Sequence, residues 1–386
     1  MGEKRHYYYF DYLRFFAMIC VVFMHCAVAA LRVNTAYIGG NWHLTNAMTS
    51  LAFSAVPLFF MMSGYLLFSS SKTSEISYLF KKRIPKLLIP LVSYSALAAV
   101  HLIRVQDTLT FSEFADMFAM AGSKPLIVHF WFMYTLTGMY LISPILYGGI
   151  HNASSSVKKY LLGLVATILL TTTAYTVLPA DIKGYVPYKI PSEMAFFSGH
   201  IVSFVLGWLL GQTKRKIPNL LLVAVSVLDL LFIIFMTHKV TIKNATYTQI
   251  YQSQSMGFEI LLASCIFLLA KQNLNRSIKF VSRFISPITA LSFPVYLLHG
   301  VVLGVMNFDM NGTLYPITAF GTVKLTAFIV VLCYFLIKTV ATIKPLCFVF
   351  TGMSYKTACD SCNWIFTSRK IKKLFKKTDK QGKATE

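Results

Sequence analysis

Asp11, Arg14 and His25 stand together in an apolar stretch, FDYLRFFAMICVVFMHCA, running from Phe10 to Ala27. Eleven positions separate Arg14 from His25. At about 100° per residue that is three turns plus about 20°, so both fall on one stripe of a helix. Asp11 lies within roughly 60° of Arg14 on the same count, and His25 about 16 Å beyond Arg14 along the axis. These are types suited to proton transfer and anion binding. A charged group inside a bilayer costs about 2.5–3.5 kcal/mol on insertion scales, so it normally faces a protein interior or a cavity. The competing reading is an arginine that snorkels at the membrane edge, with a histidine satisfied between helices.

The rest of the chain must hold that stripe in a membrane. Its 386 residues are 56% hydrophobic and 13% charged, against about a quarter charged in a soluble protein of ordinary composition. The formal charge of +22 is spread in short basic clusters between apolar runs rather than gathered on one compact domain, which argues against nucleic acid as a partner. No cleavable signal peptide is expected, because the first apolar run carries charges and no small-residue cleavage site follows it. The seven cysteines lie mostly in apolar runs and imply no disulfide framework.

The fold class expected is all-α, a polytopic transmembrane helix bundle of about ten spans. The spans fall near 10–31, 47–68, 86–105, 127–149, 159–178, 194–212, 217–237, 256–270, 285–306 and 316–342, the eighth being short. Most of the 36 lysines and arginines sit in alternate connections and at the two ends, so both termini are expected to be cytoplasmic. Residues 1–345 form the membrane domain and 346–386 a basic cytoplasmic tail, suited to anchoring on inner-leaflet lipid. Cys359 and Cys362 have a spacing that metal or redox sites use, but a lone CxxC carries little weight and no metal is expected.

The segment YLFKKRIPK over Tyr78–Lys86 is basic and precedes the third span. It suits either anionic lipid or a phosphorylated cytosolic ligand, since clustered Lys and Arg complement phosphate. Counting about 1.5 Å per residue puts His25 about 22 Å into the membrane. His299 in the ninth span reaches a similar depth, as does His101 in the third, while His129 stands at the outer end of the fourth. Asp229, Glu259 and His200 are also at or near membrane depth and have no role assigned.

Taken in order, these segments resemble acyltransferase family 3, integral-membrane O-acyltransferases of surface glycans. Arg14 and His25 fit the family's Arg/Lys-x10-His signature, introduced by Asp11-Tyr12-Leu13. Val56–Leu67 resembles its second-span motif, and Lys82-Arg83-Ile84-Pro85-Lys86 followed by LLIP its cytoplasmic basic segment. His129-Phe130-Trp131-Phe132 with SPIL, and Phe293-Pro294-Val295-Tyr296-Leu297-Leu298-His299, recur in the expected order. Two departures stand out. Lys86 occupies a position where the family often has arginine, which keeps the charge but loses a bidentate fork. No appended hydrolase-like domain of the kind some members carry is visible.

The resemblance implies transfer of an acyl group, acetyl foremost, from cytosolic acyl-CoA to a sugar hydroxyl of a lipid-linked or surface glycan. The setting implied is a bacterial cell membrane, with membrane lipids and glycan-synthesis proteins as candidate partners. Lys82, Arg83 and Lys86 would hold the CoA phosphates, and Arg14 would meet the diphosphate or upper pantetheine, whose extended length is comparable to the Arg14–His25 separation. His25 is then the expected general base, with an acyl-histidine relay as the alternative route. Asp11 supports Arg14, and His129, Trp131 and His299 are supporting residues. The competing function is a polytopic transporter of a glycan or small solute, against which stands the lack of recognisable inverted repeats.

Overall fold

A computed structural model describes residues 7–362 apart from 34, 36–37, 108–109, 179–191, 277, 279–284 and 317. The basic run expected to form the end of the tail lies outside the described residues, as do the side chains of Cys359 and Cys362. The described residues form helices joined by turns, with no strand among them.

Helix α1 (Tyr8–Val33) carries Asp11 in its first turn and Arg32 in its last, an arrangement that complements the helix dipole. α2 (Gly40–Phe53) and α3 (Ala55–Phe68) follow with a break at Ser54, just before Pro57. A π-helical turn at Leu79–Arg83 leads into α4 (Ile84–Val105), which has a proline at its start. The short α5 (Phe111–Met120) is closed by a Thr110/Glu113 capping box. Then come α6 (Trp131–Asn152), α7 (Ser155–Val177), α8 (Ser192–Gln212), α9 (Asn219–Asn244), α10 (Gly257–Asn273), α11 (Ser292–Asp309) and α12 (Ala319–Thr342).

Helix is found at each of the ten expected span positions. Among the described residues, six elements are both long and apolar enough to cross a bilayer by length and composition: α1, α2 with α3, the segment Ile76–Val105, α7, α9 and α12. α10, at 17 residues, is short, as the sequence led us to expect. The six differ in burial. The best window of α2–α3 is 78% buried and that of α1 56%, whereas α7, α9 and α12 reach 11%, 22% and 28%. A helix apolar all round but packed on one side only has lipid as its natural solvent on the other. This is a multi-pass membrane protein with α1 and α3 at its centre.

That centre is packed through small residues. A Cβ on Gly64 of α3 would lie 1.8 Å from the carbonyl oxygen of Phe204 in α8, and one on Gly207 would lie 2.1 Å from that of Met61. The two backbones therefore touch at reciprocal glycines, which is how membrane helices gain dispersion contact where lipid competes for apolar side chains. Past α12, α13 (Lys344–Thr351) and α14 (Tyr355–Cys362) fold back on the bundle, with Cys347 and Ala358 buried. Residues 346–358, on the tail side of the expected boundary, thus pack against the membrane domain. Gly352, at φ +66°, lies so close to α4 that a Cβ there would be 2.4 Å from the Lys86 carbonyl oxygen.

Candidate active site

Three histidines from three helices meet. The ring centroids of His25 and His299 are 5.1 Å apart, those of His129 and His299 4.4 Å, and those of His25 and His129 5.7 Å. His25 comes from α1 and His299 from α11. His129 comes from the 3-10 turn Val128–Phe130 that opens α6. His129 and His299 are buried, whereas His25 is half-buried. His129 Nε2 lies 3.2 Å from the Leu297 carbonyl oxygen, and His299 Nδ1 lies 2.5 Å from that of Tyr296. A carbonyl only accepts, so this network assigns the proton of each neutral ring to those nitrogens. His299 Nε2 is left buried without a hydrogen-bond partner. The Tyr296 hydroxyl donates to the carbonyl of His129, tying α11 to the turn. Room for the His129 ring exists because residue 300 is glycine: a Cβ there would be 2.1 Å from His129 Cε1.

Of the three, His25 and His129 line a cavity of about 270 Å³, and His299 backs them. Trp131 also lines it and stacks on His200, with centroids 4.9 Å apart, while His200 stacks in turn on Phe60 at 4.8 Å. Arg14 does not reach this cavity. It lines a second one of about 240 Å³, which shares the walls Phe59, Phe132 and Tyr296 with the first. Asp11 lies 4.0 Å from Arg14 and also accepts from the Ser286 hydroxyl at 2.7 Å, so it braces the guanidinium and cannot serve His25. A third cavity, of about 350 Å³, is lined by Arg83 and Lys86 and shares Leu66, Leu87, Tyr140 and Phe293 with the second. The three therefore run in series: Arg83 and Lys86, then Arg14, then His25.

Arg83 is steadied by its own surroundings. Its Nη1 donates to Thr73 Oγ1 at 2.7 Å, and its guanidinium lies 5.5 Å from the Tyr78 ring centroid. The Thr73 hydroxyl donates to the Leu67 carbonyl. Lys82 is exposed and does not line the Arg83 cavity. His101, matched in depth to His25, turns elsewhere: it packs where a Cβ on Gly304 would lie 2.9 Å from its Nε2. Depth along a helix was readable from sequence, and facing direction was not.

Several lining residues escaped the sequence reading. Tyr296 lies within the PVYLLH run, and its hydroxyl links two elements of the histidine cluster. Tyr140 borders both the Arg14 and Arg83 cavities, and nothing in LTGMYLIS marks it as polar-facing. Gly300 carried a signal, a glycine directly after a membrane histidine. Gln249 and Gln254 come from a connection and join the His25 cavity from outside α1.

The family model described as the acyltransferase domain of acyltransferase family 3 matches residues 7–339, and the chain belongs to that family. No curated protein and no solved structure matches the chain.

Proposed function

We propose that this family 3 acyltransferase is a multi-pass enzyme of the bacterial plasma membrane, with both termini cytoplasmic. In this reading it moves an acyl group, acetyl foremost, from cytosolic acyl-CoA to a sugar hydroxyl of a lipid-linked or surface glycan. The observation that carries the reading is the series of three cavities. Cations stand at one end, an arginine braced by a carboxylate in the middle, and a histidine cluster at the other end. A long, thin donor with a phosphorylated head and a reactive tail suits that order. Arg83 and Lys86 take the phosphates, Arg14 the upper arm, and the thioester reaches toward His25.

His25 is the general base on this account, being the half-buried member of the cluster that lines the cavity. It takes the proton of the acceptor hydroxyl as the oxygen attacks the thioester carbonyl carbon. The tetrahedral intermediate collapses, the carbon–sulfur bond breaks, and the imidazolium returns the proton to the departing thiolate, leaving an O-ester and CoA. His129 and His299, with their N–H groups pinned to backbone carbonyls, hold the pocket's shape and keep it neutral. Trp131 offers an aromatic surface to a sugar ring.

The test is transfer of labelled acetyl from acetyl-CoA to membrane glycan by the purified full chain. Transfer by the wild type and its loss in a folded His25→Ala variant are the expected results. Undiminished transfer in that variant overturns the assignment of His25, and no transfer by the wild type overturns the donor.

A further inference from the structure

Among the described residues, the His25 cavity is lined by one permanently charged side chain, which the transfer chemistry proposed above does not use. Arg32 lines the cavity together with His25, and no carboxylate among the described residues lines it. Arg32 stands seven positions after His25, and at about 100° per residue that returns it to within about 20° of His25 on α1. Arg14, His25 and Arg32 therefore share one stripe, with a guanidinium on each side of the imidazole. The rise from His25 to Arg32 is about 10 Å, and helical side chains lean toward the N-terminus, so the Arg32 head leans back toward His25.

Gln249 and Gln254, both half-buried, line the same cavity as the exposed Arg32. The connection that carries them is anchored. Gln252 between them is fully buried, and its Nε2 donates to Asn46 Oδ1 at 2.9 Å and to Ser50 Oγ at 2.8 Å on α2. Asn46 Nδ2 in turn donates to the Ile234 carbonyl on α9 at 3.1 Å. The Tyr247 hydroxyl also donates to Gln252. Two amides, each both donor and acceptor, thereby line the cavity together with a guanidinium.

Resting on the transfer reading above, we infer that Arg32, Gln249 and Gln254 form the acceptor subsite and that it selects an anionic glycan. Arg32 pairs with a carboxylate or phosphate on the acceptor, on the sugar being acylated or its neighbour, while Gln249 and Gln254 hydrogen-bond to hydroxyls. Pairing of a guanidinium with an anion is the strong, geometrically selective contact available here. A neutral glycan would leave Arg32 to the amides and water.

Equilibrium binding of oligosaccharides to the full chain in zwitterionic nanodiscs, with no acyl donor present, separates this subsite from the transfer step. The probes are an oligogalacturonide against its methyl-esterified counterpart, and a phosphorylated oligomannose against the unphosphorylated one. The expected result is binding about tenfold tighter for the charged member of at least one pair, and the pair that responds distinguishes carboxylate from phosphate. Arg32→Gln is expected to bring both members of that pair within about twofold, with Arg32→Lys intermediate. Gln254→Leu is expected to weaken both members alike. No preference by the wild type for either charged probe overturns the inference. So does a preference that survives Arg32→Gln. A charge preference with no acetyl transfer leaves the subsite standing and removes the transfer reading instead.

Discussion

At the Arg83 cavity the cations sit at the edge of the bundle, on a π-helical turn and the first turn of α4. The steadying contacts of Arg83 are a threonine hydroxyl and a tyrosine face. At the His25 cavity the polar groups come from three separate elements. Two of the three imidazoles are buried and bonded to backbone carbonyls, and a glycine makes room for one of them. Holding a charged, solvated head needs accumulated charge and tolerates some looseness. Positioning a base against a hydroxyl and a thioester needs atoms fixed to fractions of an ångström in a site that excludes water. The two ends should therefore fail differently when altered.

The largest expected effect is at the histidine end. His25→Ala should lower kcat for acetyl transfer by about 10²–10⁴-fold, the range general-base catalysis supplies, with thermal stability nearly unchanged. A loss of less than tenfold would move the base elsewhere in the cluster. Next, Gly300→Val should drive a side chain into the His129 ring, costing about 1–3 kcal/mol of stability and lowering kcat more than it raises KM. A thermal midpoint and kcat equal to wild type would show that the ring is not held there. Arg83→Ala should raise the acyl-CoA KM by about tenfold with kcat little changed, as removal of uniform donor binding does; an unchanged KM would break the contrast between the two ends. Lys86→Arg, which supplies the fork that lysine lacks, should lower that KM by about two- to threefold. The smallest effect is expected at Lys82, which is exposed and outside the cavity lining. Steady-state kinetics of Lys82→Ala should fall within about twofold of wild type.

The same contrast governs what could be read from the residues. Apolar runs mark helices, so helix at all ten expected positions was legible, as was the shortness of α10. The start of α2 was not: the helix begins at Gly40, seven residues before the expected span. Asn46, in its polar first half, accepts from Gln252, a tertiary use that hydropathy does not register. Spacing within a helix was legible too, since 3.6 residues per turn puts Arg14 and His25 on one stripe without knowledge of anything else. Facing direction between helices was not, because it depends on packing against partners distant in sequence. His299 and His101 have matching depths, yet only His299 joins His25. Tyr140 gave no sign for the same reason. Within the basic cluster Lys82-Arg83-Ile84-Pro85-Lys86, Arg83 and Lys86 line the third cavity and Lys82 does not, although both lysines are exposed.

Whether the three cavities act as one path across the membrane is tested most directly with sealed inside-out vesicles from cells producing the chain, in which the native surface glycans face the lumen. Labelled acetyl-CoA is added to the outside only, and alkali-labile label is then measured in lumenal glycan. The expected result is label in the glycan of intact vesicles, absent when the chain carries His25→Ala. Label that appears only after the vesicles are permeabilised would contradict a donor and an acceptor meeting at His25 from opposite sides.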